Sequence, residues 1–472
     1  MTLRRQLFLH LWHLCVIAVI LRLGYFLLAL QHLGLEKLWN TNPDSLKYAA
    51  IAEYLLSGRA HGLGPLFRYG PGYGFILASL QQIFGASPLY AYLFNILIGS
   101  LAPACVYLIA FHLTYSKTVA LITGAISALS TISIALSCNI MSDQPFFTVH
   151  ALSILCFILG FRSGKKSWFI VSGLIAGIAA YIRSIGQFWP ILLFFIPVIL
   201  PLQYDPGRED SSSFMYSSRL SMIKRSVLAA VAMLVLVLGW SARNYIVHDA
   251  FIFGNNGVST ARRYLLAKAV AEHTPGVDIH EIRRRWDEQD LEFFGRQTPT
   301  FAERYQRDKA QLWQVSLAHP GWIISTFLKT VWENMSAGND FANPQVPVFR
   351  HLWWILNRWN GKWLAPLILL VTIVGLVFLY VDRFHLAWLL LGATYAYFTF
   401  ITGFSFWQGS RLHYPAQMAW AILVAYASYR VGLLLTKQAR ILNLSPILLK
   451  RIAGAVHRTA GLRRPKERGS NN

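Results

Sequence analysis

Leu7–Leu30 reads LFLHLWHLCVIAVILRLGYFLLAL, an apolar run interrupted only by His10, His13 and Arg22. As a helix it is long enough to cross the roughly 30 Å hydrocarbon core of a bilayer. Pro88–Phe111, Val227–Tyr245 and Trp363–Val381 repeat the pattern. Of the 472 residues, 55% are hydrophobic and only 14% charged, with a mean hydropathy of +0.42. A soluble domain carries nearer a quarter charged residues, and a large soluble core fails to explain runs of this length. The chain reads as an all-α polytopic membrane protein. About ten spans are expected, near 7–30, 88–111, 118–137, 143–161, 168–183, 186–202, 226–246, 363–381, 385–404 and 413–435. No internal repeat is visible.

The formal charge of +22 would suggest nucleic acid in a soluble protein. Here Arg4, Arg5, Lys117, Arg162, Lys165, Lys166, Arg219, Lys224, Arg225, Lys437 and Arg440 fall in short loops and at span ends. That is where positive-inside topology needs them if the amino terminus is cytoplasmic. Nucleic acid is therefore excluded as the expected partner. Membrane lipids take its place, with Lys450–Arg468 placed to meet anionic headgroups. Cys15, Cys105, Cys138 and Cys156 lie in or beside spans without metal-ligand spacing and read as small apolar residues. The first run lacks a small-residue cleavage site and reads as a retained anchor.

This topology divides the chain into four parts. Residues 1–247 form a transmembrane module with a first outward loop at 31–87. Residues 248–362 form an extracytoplasmic, mostly helical region, because Ile279–Phe294 and Phe301–Leu317 carry mixed charges at helical spacing. Residues 363–435 hold the last spans and 436–472 a basic cytoplasmic tail. In the first loop, Asp44–Ser57 has helical apolar spacing (Leu46, Ala50, Tyr54, Leu55) and is expected to lie along the interface. Gly72–Phe84 is too short to cross and reads as a re-entrant or interfacial helix.

The same topology puts Asp44, Arg68, Asp143, Arg183, Arg243 and Arg411 on one side, at outer span ends or in outward loops. Asp44, in Asn42-Pro43-Asp44-Ser45, suits a general base, a metal ligand or a helix cap. Asp143, in Ser142-Asp143-Gln144-Pro145, opens a span and has the same choices. Two carboxylates from nonadjacent spans could converge for acid–base or metal-assisted work. Arg68 precedes Tyr69-Gly70-Pro71-Gly72-Tyr73-Gly74, where glycine and proline permit a sharp turn. Positive-inside bias makes outward arginines unexpected, so Arg68, Arg183, Arg243 and Arg411 are candidates for binding a phosphate. Snorkelling to headgroups weighs about equally for them. Arg22, inside the first span, should face the bundle interior or a polar partner. The Arg283–Arg285 run reads as a solvated helix face, and Asn334-Met335-Ser336 matches a glycosylation acceptor pattern.

Several stretches occur in a familiar order: Asp44–Ala52 (DSLKYAAIA), Leu55–Gly58 (LLSG), Arg68–Ala78 (RYGPGYGFILA) and Ser142–Phe147 (SDQPFF). Gly173–Ser184 (GLIAGIAAYIRS), Gly239–Tyr245 (GWSARNY), His319–Pro320 and Arg411–Pro415 (RLHYP) follow. Together, from residue 1 to about 430, they resemble the GT-C membrane glycosyltransferases. The similarity is to the branch with the lipid A aminoarabinose transferase and protein O-mannosyltransferase relatives. The resemblance implies a GT-C type bundle of about ten transmembrane helices, with interfacial helices in the first outward loop. It also implies a catalytic acid at Asp44, a second at Asp143, and transfer of a sugar from a polyprenyl-phosphate donor with inversion. The acceptor would be a lipid, glycan or protein, and the arginines would hold the donor phosphate. The family frequently shows an adjacent acidic pair in the first loop. Asp44 stands alone here, which leaves a divalent metal cofactor open. A bacterial inner membrane with the site facing the periplasm is the expected location. The rival from another class is a transporter or lipid-linked sugar flippase. Its ionisable groups would sit near the bilayer midplane, in repeated halves.

Overall fold

The computed structural model describes residues 3–40, 43–57, 70–199, 219–295, 299–337, 363–406 and 411–441. Its first half runs through helices α1 (Leu3–Leu33), α2 (Leu35–Asn40), α3 (Pro43–Ser57), α4 (Pro71–Phe84), α5 (Leu89–Thr114), α6 (Lys117–Leu129) and α7 (Thr131–Ser137). Then come α8 (Asp143–Ser163), α9 (Lys166–Ile182), α10 (Trp189–Ile199) and α11 (Arg219–His248). A helical region follows: α12 (Asn256–Thr260), a wider π turn at Ala261–Leu266, α13 (Ala267–His273), α14 (Ile279–Phe293), α15 (Phe301–Ala318) and α16 (Pro320–Ser336). The described chain closes with α17 (Ala365–Val381), α18 (His385–Phe400) and α19 (Gln417–Ile441).

Among the described residues, six helices are long and apolar enough to cross a membrane: α1, α5, α8, α11, α18 and α19. The pair α6–α7 makes a seventh, and α9, α10 and α17 are shorter apolar helices. Helices thus lie at each of the ten stretches expected from hydropathy, and seven of them reach membrane-crossing length among the described residues. One of them differs in shape. The run 118–137 reads as a single span, but the structure bends it by 51° at Ser130. The Ser130 backbone turns extended, and its hydroxyl accepts from the Ser133 amide, starting a new helix where the old one stops.

Without a hydrophobic drive between helices in lipid, close packing has to hold the bundle together. Small residues supply it. In α9, Gly173 and Gly177 are four apart. A Cβ at Gly173 would lie 2.1 Å from the Ala229 carbonyl oxygen of α11, and one at Gly177 would meet Leu236 at 2.5 Å. Gly375 of α17 lies as tightly against Leu423 of α19. At the centre is α8, whose Phe146, Ala151, Ile154, Phe157 and Ile158 are buried. The outer helices α1 and α11 leave Ile20, Leu27, Val235 and Leu238 exposed. Such apolar faces suit lipid, whereas water would drive them to associate.

Arg22 of α1 lies fully buried, as its position inside a span required. Its Nη2 donates to Ser133 Oγ at 2.7 Å and its Nε to Ser137 Oγ at 3.0 Å. The helical region is stitched by local devices. Asp278 caps α14, and Thr300 with Glu303 forms a reciprocal capping box on α15. Two expectations for this region change. Arg283 is not on a solvated face: it packs over Tyr264 and Phe406, while Arg284 and Arg285 are exposed. Asn334 is buried, and its Nδ2 donates to the Thr402 and Ser405 carbonyls at 2.9 and 2.7 Å. Its amide nitrogen ties α16 to the end of α18, so it is not presented for glycosylation.

Candidate functional site

Four residues far apart in sequence meet at the ends of α3, α8 and α9 and just before α19. Asp143, the first residue of α8, is fully buried. The Arg411 Nε lies 3.1 Å from each of its carboxylate oxygens, and Nη2 lies 3.0 Å from Oδ2. Arg183 makes a second ion pair with Asp143 through Nη1. The remaining terminal nitrogen of Arg411, Nη1, donates to Asp44 Oδ2 at 2.9 Å. Asp44 also accepts from Lys47 Nζ at 2.9 Å. One guanidinium thus spans two carboxylates that lie far apart in the chain, at positions 44 and 143.

Local structure explains the convergence. Asp44 lies in the first turn of α3, where the helix dipole favours an anion. The helix is fastened to the segment before Asp143. Ser45 Oγ donates to the Ile140 carbonyl at 3.1 Å, and the Tyr48 hydroxyl meets Ser142 Oγ at 2.6 Å. Asn95 of α5 donates to the Asn139 carbonyl at 2.6 Å and to the Tyr73 hydroxyl at 2.9 Å. The Tyr73 ring stands edge-on to Tyr48 with centroids 4.8 Å apart. Gly70 and Gly72 dock the start of α4 onto the end of α9. A Cβ at Gly70 would sit 2.3 Å from the Tyr181 carbonyl oxygen, and one at Gly72 would sit 2.8 Å from the Tyr181 carbonyl carbon. These glycines serve close backbone approach, a different role from the sharp turn expected of them. Arg183 follows as the extended C-cap of α9. On the other side, the Tyr414 hydroxyl lies 2.5 Å from Gln144 Oε1 and 3.0 Å from Ser133 Oγ. That contact joins the Arg411 segment to α8 and, through Ser133, to Arg22.

Exposure separates the members. Side-chain exposure is 0% for Asp143, 4% for Arg411, 15% for Arg183, 20% for Asp44 and 43% for Lys47. Asp44 is therefore the carboxylate a ligand can reach, and Lys47 and Arg183 are the reachable cations. Burial alone would raise the Asp44 pKa, but the charges of Arg411 and Lys47 outweigh it and hold the group at about 2. Burial pushes Tyr48 up to about 12, so it remains a hydroxyl donor.

Among the sequence-derived candidates, the structure brings together Asp44, Asp143, Arg183 and Arg411. Arg243 is engaged elsewhere: it bonds Asn244 Oδ1 at 3.0 Å and lies over the Trp240 ring. Arg68 falls outside the described residues. Sequence reasoning passed over Lys47, although a lysine three residues after an acid on one helix is a readable signal. It also passed over Asn95 and Gln144, polar residues inside apolar spans. Among the described residues there is no group of three His, Cys, Asp or Glu side chains able to hold a metal ion. Counting the five clustered side chains, two negative charges face three positive ones. As arranged, these residues do not fit a divalent cation.

Residues 35–248 match the model of the dolichyl-phosphate-mannose-protein mannosyltransferase family. The chain is also similar to the undecaprenyl phosphate-alpha-4-amino-4-deoxy-L-arabinose arabinosyl transferase of Enterobacter sp. (strain 638). Identity is 24%, over 58% of this chain and 51% of that protein. The archaeal oligosaccharyltransferase of Archaeoglobus fulgidus, solved with an inhibitory peptide and a dolichol-phosphate, superposes with a TM-score of 0.51 at 14% identity. That match covers 97% of this chain and 55% of that one. The fold is that of the GT-C glycosyltransferases. The chain is an integral membrane protein, and it spans about half the length of each of these two relatives.

Proposed function

We propose that the protein is a membrane glycosyltransferase that takes a sugar from a polyprenyl-phosphate donor and passes it, with inversion, to an acceptor at the extracytoplasmic face. The observation that carries this reading is the meeting of Asp44, Asp143, Arg183 and Arg411 at one end of the bundle. With the amino terminus cytoplasmic, all four lie at the outer surface, where a bilayer-embedded lipid tail would present its phosphate. Similarity to an undecaprenyl-phosphate-dependent transferase and to the mannosyltransferase family model supports the same donor chemistry.

The division of labour follows exposure and charge. Asp44, reachable and ionised, orients the acceptor hydroxyl and takes its proton as the oxygen bonds to the anomeric carbon. The bond from that carbon to the phosphate oxygen breaks, and the electron pair leaves on the polyprenyl phosphate. Arg183 and Lys47 stabilise the charge gathering there. Asp143, sealed from solvent, holds Arg183 and Arg411 in place. A bacterial inner membrane, with the site towards the periplasm, is the setting we assign. The acceptor is a lipid, glycan or protein hydroxyl.

The test uses the full chain in liposomes with a polyprenyl-phosphate carrying a radiolabelled sugar. The expected result is label on an acceptor and accumulation of free polyprenyl phosphate. Label that only moves between leaflets, with the donor intact, would identify a flippase and end the transferase reading.

A further inference from the structure

We infer that Arg411 is the built-in counter-cation of the acidic pair, its guanidinium filling the space between Asp44 and Asp143 that a divalent metal would otherwise need. The inference deepens the transferase reading and rests on it only for its activity arm. A hard divalent ion is held by several oxygens at about 2.0–2.6 Å, most often from carboxylates. Here the facing carboxylates are bridged by one planar group. Nε and Nη2 of Arg411 face Asp143, Nη1 faces Asp44, and the side chain is buried. Arginine suits this task because its fork matches two acceptors at once and it keeps its charge at any working pH. The guanidinium is also anchored from behind. Three residues later, Tyr414 is fixed to Gln144, the neighbour of Asp143. With Arg183 on Asp143 and Lys47 on Asp44, an incoming divalent cation would meet a cluster that already carries excess positive charge.

The consequence is specific to this residue. Metal should be neither bound nor needed while Arg411 is present, and the two acids should become a metal site when it is shortened. The probe is Mn2+, titrated by electron paramagnetic resonance against the purified full chain in nanodiscs. The wild-type protein should show no Mn2+ binding that depends on Asp143. Arg411→Ser should bind Mn2+ at least tenfold tighter than wild type, and the double change Arg411→Ser with Asp143→Asn should abolish the gain. Arg411→Gln keeps a neutral donor between the acids and supplies a second variant should the serine form fail to fold. In the activity arm, transfer by the wild type should stay within twofold after EDTA treatment. Mn2+ binding by the wild type that Asp143→Asn removes would overturn the inference, as would a folded Arg411→Ser and a folded Arg411→Gln that both bind no better than wild type. A tenfold or greater loss of transfer in EDTA would also overturn it. A protein that transfers no sugar would sink the transferase reading and leave the Mn2+ result standing.

Discussion

Two arginines in this molecule each bridge a pair of aspartates, and they do so for different ends. In the helical region, Arg262 is buried and its Nη1 donates to Asp290 and Asp308, both at 2.7 Å. Its Nε donates to Gln311 at 2.5 Å. The partners lie 28 and 46 residues away, on adjoining helices α14 and α15. At the bundle end, Arg411 reaches Asp44 and Asp143 across 367 and 268 residues. Each cluster has one sealed acid and one partly exposed one: Asp308 and Asp290 are 3% and 14% exposed, Asp143 and Asp44 0% and 20%, with the half-exposed Lys47 beside Asp44. A bridging arginine is thus no signature of function by itself. What differs is the balance: Arg262 and Arg307 match Asp290 and Asp308 one for one, whereas three cations face Asp44 and Asp143, and under the proposed function that excess receives an anionic ligand. The first is a staple between neighbouring helices.

The largest expected effect would break that comparison if it failed. Asp44→Asn removes the reachable carboxylate and should cut transfer by about 10²- to 10⁴-fold, the usual worth of a positioned base. The protein should remain folded and inserted, as judged by its elution from size-exclusion chromatography and its melting temperature. Transfer at wild-type rate would remove Asp44 from the chemistry.

Arg262→Ala should do the opposite. Removing Arg262 leaves the buried Asp308 without its ion pair and Asp290 with Arg307, and breaking a buried pair costs about 3–5 kcal/mol. Thermal unfolding of the α12–α16 region should shift down clearly, while transfer per folded molecule stays near wild type. A loss of transfer without a loss of stability would mean that the two clusters are not separate in role.

Acid should sharpen the contrast further. Asp44 is held at about 2 by its cations, against about 3.9 for a free aspartate. A carboxylate with a lowered folded-state pKa contributes stability that is full above the unfolded value and is lost as pH falls towards the folded one. The window therefore runs from about pH 4 down to about pH 2, with a contribution on the order of 2 kcal/mol. The contribution of Asp44 to the melting temperature should be constant between about pH 7 and 5. The stability gap between wild type and Asp44→Asn should close as pH drops through the window. A gap that closes already near pH 6 would show that the cations do not hold Asp44 as described.

The smallest effect belongs to an exposed pair. Arg284 bonds Glu281 and Glu288 on the surface of α14, where solvent screens the charges and side-chain entropy opposes them. Arg284→Ala should leave both melting temperature and transfer unchanged within error. A clear drop in either would show that charge on this face matters beyond local pairing.

Much of the architecture was legible in advance because hydropathy acts over one segment at a time. The apolar runs around α1, α5, α8, α11 and α19 each specify a helix of membrane-crossing length without reference to any other segment. The spacing of charges in 279–317 likewise announced α14 and α15. The break at Ser130 was harder, because serine is tolerated within apolar helices and only its bond to the Ser133 amide turns it into a cap. The glycines at 70 and 72 were visible, but their reason was not. It lies in the Tyr181 backbone, over a hundred residues away.

For the site, the sequence determined which charges exist and, through hydropathy, that Asp44, Asp143, Arg183 and Arg411 are expected on one side of the bundle. Tertiary structure alone decided that Arg411 lies across both acids, that Arg183 joins Asp143, and that Arg243 turns to Asn244. The physical reason is range. Burial of an apolar helix is fixed by its own residues, whereas an ion pair at about 3 Å depends on where several distant helices end.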